Sequence, residues 1–150
     1  ADDRALLEAV AGQCAQALDR VRAERAQRAA EARFRVAQEV SPDGFQLLRP
    51  ERTADGTVRD LCYQYVNEAG ARILGRSTAD LVGRGMRALF PGVDETGLFA
   101  RYVRVLETGE PMLEEVRYDR DGVSGGFRVA AVRLGDALAI SYGDISDRLR

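Results

Sequence analysis

The chain has 150 residues, enough for one domain of ordinary size and an appended helix. Its composition is 45% hydrophobic, 31% charged and 7% aromatic, the balance of a soluble globular chain. Twenty-two basic residues stand against 24 acidic ones, a net charge of −2, so no global field draws the chain to nucleic acid or anionic lipid.

The first ten residues, ADDRALLEAV, carry three acids and no basic n-region, so no signal peptide is expected. The absence of an initial Met points to a segment of a longer protein. From Asp3 to Gln38 there is no Pro and one Gly among many Ala, Arg and Glu, which predicts a long helix. Leu7, Val10, Cys14, Leu18 and Val21 fall three and four apart and draw one apolar stripe along it. Glu24 with Arg28, and Glu31 with Arg35, sit four apart with the acid first, the favourable order. The same Arg cluster is read as a solvated face, because Asp19, Glu24 and Glu31 interrupt it and Phe34 is its one aromatic. Ser41-Pro-Asp-Gly44 ends the pattern. The chain is therefore divided into a linker helix over 1–38 and a domain over 39–150.

Within that domain Phe45–Leu48 reads as a strand, Thr53–Thr57 as a turn, and Val58–Val66 as a strand with Leu61, Tyr63 and Tyr65 on one face. Asn67 caps a short helix that Gly75 stops. Ser77-Thr-Ala-Asp80 matches a capping box for another turn, closed by Gly83. Met86–Phe90 is a third helical piece, ended by Pro91-Gly92. A longer helix puts Leu98, Phe99, Tyr102, Val103 and Leu106 on one face and ends at Gly109 and Pro111. Strands follow at Met112–Tyr118, Phe127–Leu134 and Leu138–Tyr142, with turns at Asp121-Gly122 and Gly135-Asp136. The order β-β-α-α-α-α-β-β-β predicts an α+β domain with antiparallel neighbours and its helices on one face.

Two absences narrow the chemistry. Every basic residue is Arg, which removes Schiff-base chemistry and the Lys of a phosphate-binding P-loop. His is missing, so there is no Ser-His-Asp triad, Cys-His dyad, His-ligated zinc or His-ligated haem. Cys14 and Cys62 have no metal-ligand spacing and read as reduced thiols of a cytoplasmic protein. Gly122-Val-Ser-Gly-Gly126 fits the G-x-S-x-G string, but its flanks are strands, and a hairpin turn is the better reading. Gly83-Arg-Gly-Met-Arg-Ala88 fits a loose dinucleotide pattern without the preceding strand that pattern needs. No enzyme is expected. Phe45, Tyr63, Tyr65, Phe90, Phe99, Tyr102, Phe127 and Tyr142 either line a ligand pocket or fill the core.

Five spaced motifs carry a family resemblance over residues 39–150. Asp43-Gly-Phe45, Asn67-Glu-Ala-Gly-Ala-Arg-Ile-Leu-Gly75, Asp80-Leu-Val-Gly83, Val105-Leu-Glu-Thr-Gly-Glu-Pro111 and Gly143-Asp-Ile-Ser-Asp-Arg148 stand in the order found in PAS sensory domains. The last resembles that family's terminal Asp-Ile-Thr signature, with Ser146 in place of Thr. Leu6–Leu18 is similar to the closing helix of a GAF domain. The resemblance implies a five-stranded antiparallel sheet with helices on one face and a pocket beside them. It also implies a regulatory module of a multidomain bacterial signalling protein. The effector in the same parent chain is expected to be a sensor histidine kinase, with a metal-dependent phosphatase or diguanylate cyclase as alternatives. Signal exit falls to Asp144, Ile145 and Ser146.

No Cys occupies the helix that would carry the family's flavin-attacking Asn-Cys-Arg pattern, so covalent flavin photochemistry is disfavoured along with His-ligated haem. The cofactor is otherwise unassigned, and a small organic ligand stays open. A homodimer paired along Leu7, Val10, Cys14, Leu18 and Val21 is expected, with no nucleic-acid or membrane partner. A purely structural dimerisation module is the competing reading, and a small carboxylate-based enzyme the one outside signalling.

Overall fold

A computed structural model describes residues 2–146, which divide into two units, one ending at Val40 and the other beginning at Ser41. The first unit is a helix, α1 (Asp2–Val40), solvent-exposed along nearly all its length. Arg4 and Glu8 pair across one of its turns. No described helix is long and apolar enough to cross a membrane.

The second unit opens with β1 (Gly44–Arg52) and β2 (Val58–Val66), passes through five helices, and closes with β3 (Met112–Arg120), β4 (Val123–Leu134) and β5 (Ala137–Asp144). The helices are α2 (Glu68–Leu74), α3 (Thr78–Leu81), α4 (Met86–Leu89), α5 (Gly92–Glu95) and α6 (Leu98–Thr108). The strands form one antiparallel sheet in the order β2-β1-β5-β4-β3. The first and last strands of the chain thus pair at its centre. The strands turn one face toward the helices, and Leu48, Leu61, Ala131, Leu138 and Ile140 are fully buried with Leu81 of α3.

Local chemistry explains the boundaries. Asn67 caps α2 by accepting from the Gly70 N–H at 2.8 Å, and Gly75 ends it in the left-handed region. Ser77 caps α3 through the Asp80 N–H at 3.2 Å. The free edge of β2 is tied to the loop before α4: Gly83 N donates to Tyr63 O, and Tyr63 N to Arg84 O. That loop covers the backbone an edge strand would otherwise expose.

Three expectations are corrected. A fifth helix, α5, follows Pro91, because Pro91 with φ −60° and ψ −20° starts a turn as readily as it ends one. β4 begins at Val123, so Ser124, Gly125 and Gly126 are strand residues facing Asp119, Tyr118 and Arg117, not a hairpin turn. Only Asp121 and Gly122 make that turn, both with positive φ. Finally, β2 does not alternate strictly. Its register against β1 slips between Leu47–Tyr65 and Leu48–Tyr63, leaving Gln64 as an extra residue. Leu61 and Tyr63 face the core, but the bulge turns Val66 inward and Tyr65 away.

Candidate functional site

Between the sheet and its helices lies a cavity of about 70 Å³. Gln46, Tyr63, Val116, Tyr118, Val123, Phe127, Val129 and Tyr142 form its sheet side. Ile73, Leu74, Met86, Phe90, Val93, Leu98 and Tyr102 form its helical side. Neither an Asp nor a Glu lines it, which leaves a carboxylate-based reaction no base in this chamber. Among the described residues no group of His, Cys, Asp and Glu could hold a metal ion.

Of the aromatics singled out in the sequence, Tyr63, Phe90, Tyr102, Phe127 and Tyr142 meet at this cavity. Phe45 and Tyr65 do not. Phe45 alternates with the inward Gly44 and Gln46, and the bulge sends Tyr65 to the same outer face. Their rings pair there at 6.2 Å between centroids. Phe99 is buried in α6 but lies outside the cavity lining, with the Arg87 guanidinium 4.8 Å from its ring centre. Tyr118 was not among the sequence candidates. Its hydroxyl donates to Asp121 Oδ2, which also accepts from Gly92 N at 2.9 Å. The β3 alternation of Met112, Val116 and Tyr118 was the available signal.

The roof is braced from outside. The Arg76 guanidinium lies 4.7 Å from the Phe90 ring centre and donates to Leu89 O at 3.1 Å. Phe90 in turn meets Tyr63 edge to face, with centroids 6.3 Å apart.

Among the described residues three buried side-chain polar atoms have no hydrogen-bond partner: Gln46 Oε1, Arg76 Nε and Tyr142 Oη. Gln46 is 4% exposed and Tyr142 6%. Each such atom costs about 1–3 kcal/mol of desolvation. Two glycines leave the room that the Tyr142 ring occupies. A Cβ on Gly44 would stand 2.4 Å from its Cε2, and one on Gly70 2.6 Å from its hydroxyl. Burial raises the pKa of Tyr63, Tyr102 and Tyr142 well above the ordinary phenol value; for Tyr118 burial leads and the Asp121 carboxylate adds to it. All four are neutral donors at physiological pH. Cys62, half-buried, has its thiol pushed up by burial and by the nearby Glu51 and Asp60 charges, the reverse of an activated nucleophile.

The exit residues form one hydrogen-bonded knot. Asp144 ends β5, and its Oδ1 accepts from Ser146 N at 2.9 Å and Ser146 Oγ at 2.6 Å. Ser146 Oγ accepts from Gly126 N at 3.1 Å, and Ile145 N donates to Gly126 O at 2.8 Å. Gly126 immediately precedes Phe127 of the cavity wall. Asp147 and Arg148 of the terminal motif lie outside the described residues.

A family model described as "PAS fold" matches residues 57–150. The chain belongs to the PAS family. Several solved domains share its fold. A domain of a sensory box sensor histidine kinase/response regulator from Geobacter sulfurreducens is 22% identical at a TM-score of 0.59, covering 77% of this chain and 94% of that one. The PAS domain of an HTR-like protein from Haloarcula marismortui is 23% identical at 0.58, covering 83% and 98%. The PAS domain of a LuxR-family transcriptional regulator from Burkholderia thailandensis, solved in complex with ethanol, is 22% identical at 0.52, covering 75% and 97%. A search of curated proteins found no match. PAS domains are generally regulatory modules rather than enzymes, and in multidomain signalling proteins they often dimerise and connect to effectors.

Proposed function

We propose that this PAS domain is a ligand-responsive regulatory module whose cavity state is passed through β4 and β5 to Asp144, Ile145 and Ser146, and from there to an effector in the same parent chain. A sensor histidine kinase is the effector this reading puts first, on the family resemblance. The observation that carries it is the cavity between sheet and helices, whose wall residue Phe127 adjoins Gly126 of the exit knot. The knot at Ser146 sits one residue from the wall residue Phe127, so a change in wall packing reaches the exit through Gly126.

Native mass spectrometry of the purified chain tests this reading, paired with thermal shift against small neutral compounds. A bound mass lost on denaturation, or a compound that raises Tm, is the expected result. Neither outcome would leave the cavity a packing defect and the domain a structural module. A homodimer along α1 is part of the same proposal. Leu7 is 70% exposed and Leu18 55%, and Val10, Cys14 and Val21 of the stripe are exposed as well, so the seam is available to a second copy.

A further inference from the structure

The two edges of the sheet differ. The β2 edge is covered, since Tyr63 exchanges backbone hydrogen bonds with Gly83 and Arg84. β3 closes the strand order on the other side and pairs with β4 alone. Among the described residues no other backbone group bonds to the outer edge of Met112–Arg120. The β3–β4 ladder has no register shift, and Pro111 stands before the strand, not in it. A bulge and a proline, two usual devices for closing an edge, are thus both missing. We propose that this edge is an interface for a second copy of the chain. Two β3 strands pair antiparallel about Val116 and continue one sheet across both molecules.

Charge order selects both the occupant and the register. Met112, Val116 and Tyr118 are buried, whereas Leu113, Glu115, Arg117 and Asp119 are exposed on the other face. Charges on an edge ordinarily keep foreign strands away. Here the order Glu115-Val116-Arg117 is its own complement. Val116 is the midpoint of Met112–Arg120, so pairing about it uses the whole of both strands. It sets Glu115 of each copy opposite the partner's Arg117, once on each side of the twofold axis. Centring on Glu115 or Arg117 instead sets like charges face to face, which is destabilising. Centring on Tyr118 matches Arg117 with Asp119, but only 116–120 then overlap. Glu115 has no ion pair among the described residues, while Arg117 holds Asp119 at 2.8 Å. The contact therefore gives Glu115 a cation and places Arg117 between two carboxylates. Exposed ion pairs contribute little each, so this contact is weaker than the apolar α1 seam. Together the two contacts link dimers into larger assemblies.

The test is sedimentation equilibrium of the whole chain carrying Leu18→Glu, which disables the α1 seam and leaves β3 intact. A concentration-dependent dimer is expected. Glu115→Arg or Arg117→Glu added alone should weaken it about tenfold or more, because each sets like charges opposite one another. An equimolar mixture of these two variants makes every crossed pair opposite in charge again, and so does the double reversal within one chain. Both should recover association to within about threefold of the background. Where Leu18→Glu leaves a dimer, the same reversals are read on the step from dimer to tetramer. No concentration-dependent step up to about 1 mM, association indifferent to both reversals, or reversals that neither mixture nor double variant rescues would overturn the proposal. Rescue of Arg117→Glu by Asp119→Arg, with Glu115→Arg silent, would overturn the pairing about Val116.

Discussion

Asn67 uses its side chain on both sides of the sheet's first turn. Its Oδ1 accepts from Gly70 N and from Phe45 N at 2.9 Å, while Nδ2 donates to Asp43 O at 3.0 Å, all with the residue fully buried. Asn67→Ala therefore removes a helix cap and takes a partner from the Phe45 N–H of β1 and from the Asp43 carbonyl just before it. A loss of about 2–4 kcal/mol is expected, read from the urea midpoint. Gln46→Leu should move the other way and raise stability by about 1–2 kcal/mol, because it removes an unmatched buried oxygen; the same melt checks it. The tyrosines add a pH signature. With Tyr63, Tyr102, Tyr118 and Tyr142 all raised by burial, the unfolded chain loses those protons first as pH climbs. Their contribution is fully present below about pH 10 and drains away above it. Tyrosinate absorbance from these four should be missing from the folded protein at about pH 11 and appear on unfolding. At this scale the sequence displayed the Asn67 cap, since the cap is local, but not its bonds to Asp43 and Phe45, which lie more than twenty residues away.

Among the elements, regular strands and capped helices were legible because their signals are short-range: alternation, Asn67, Ser77, Gly75, Gly109. The bulge at Gln64 was not, since a register slip is decided jointly by β1 and β2. It moved Tyr65 off the site the alternation had given it. Tyr118 is the opposite case: the β3 alternation displays it, but its partner Asp121 sits in a turn whose Asp-Gly pair signals only a change of direction. β5 yields a prediction of its own. Asp144 anchors Ser146, and Ser146 anchors Gly126. Asp144→Ala should change effector output in the parent protein more than it changes folding. A mutant that loses stability and keeps full regulation would make Asp144 a cap only. For α1, sedimentation of this chain beside one starting at Gln38 measures the dimer. The truncation and Leu18→Glu should each abolish it or weaken it more than tenfold, given roughly 1.5–3 kcal/mol for each Val or Leu side chain buried in the seam. A dimer equally tight in all three, or a monomer throughout, would remove α1 as its support.

For the whole molecule, occupancy of the chamber must be felt at the end of β5. The chain from Phe127 through Gly126 to Ser146 and Ile145 is short and hydrogen-bonded, so a wall that stiffens around a ligand should hold that knot closed longer. The direct measurement is amide hydrogen exchange at Gly126, Ile145 and Ser146, with and without a saturating concentration of a compound that raises the Tm of the chain. Slower exchange at these three amides with the compound bound is the result expected. Exchange that stays unchanged at these amides while cavity shifts show the ligand bound would contradict the relay and leave a binding site with no path to an effector.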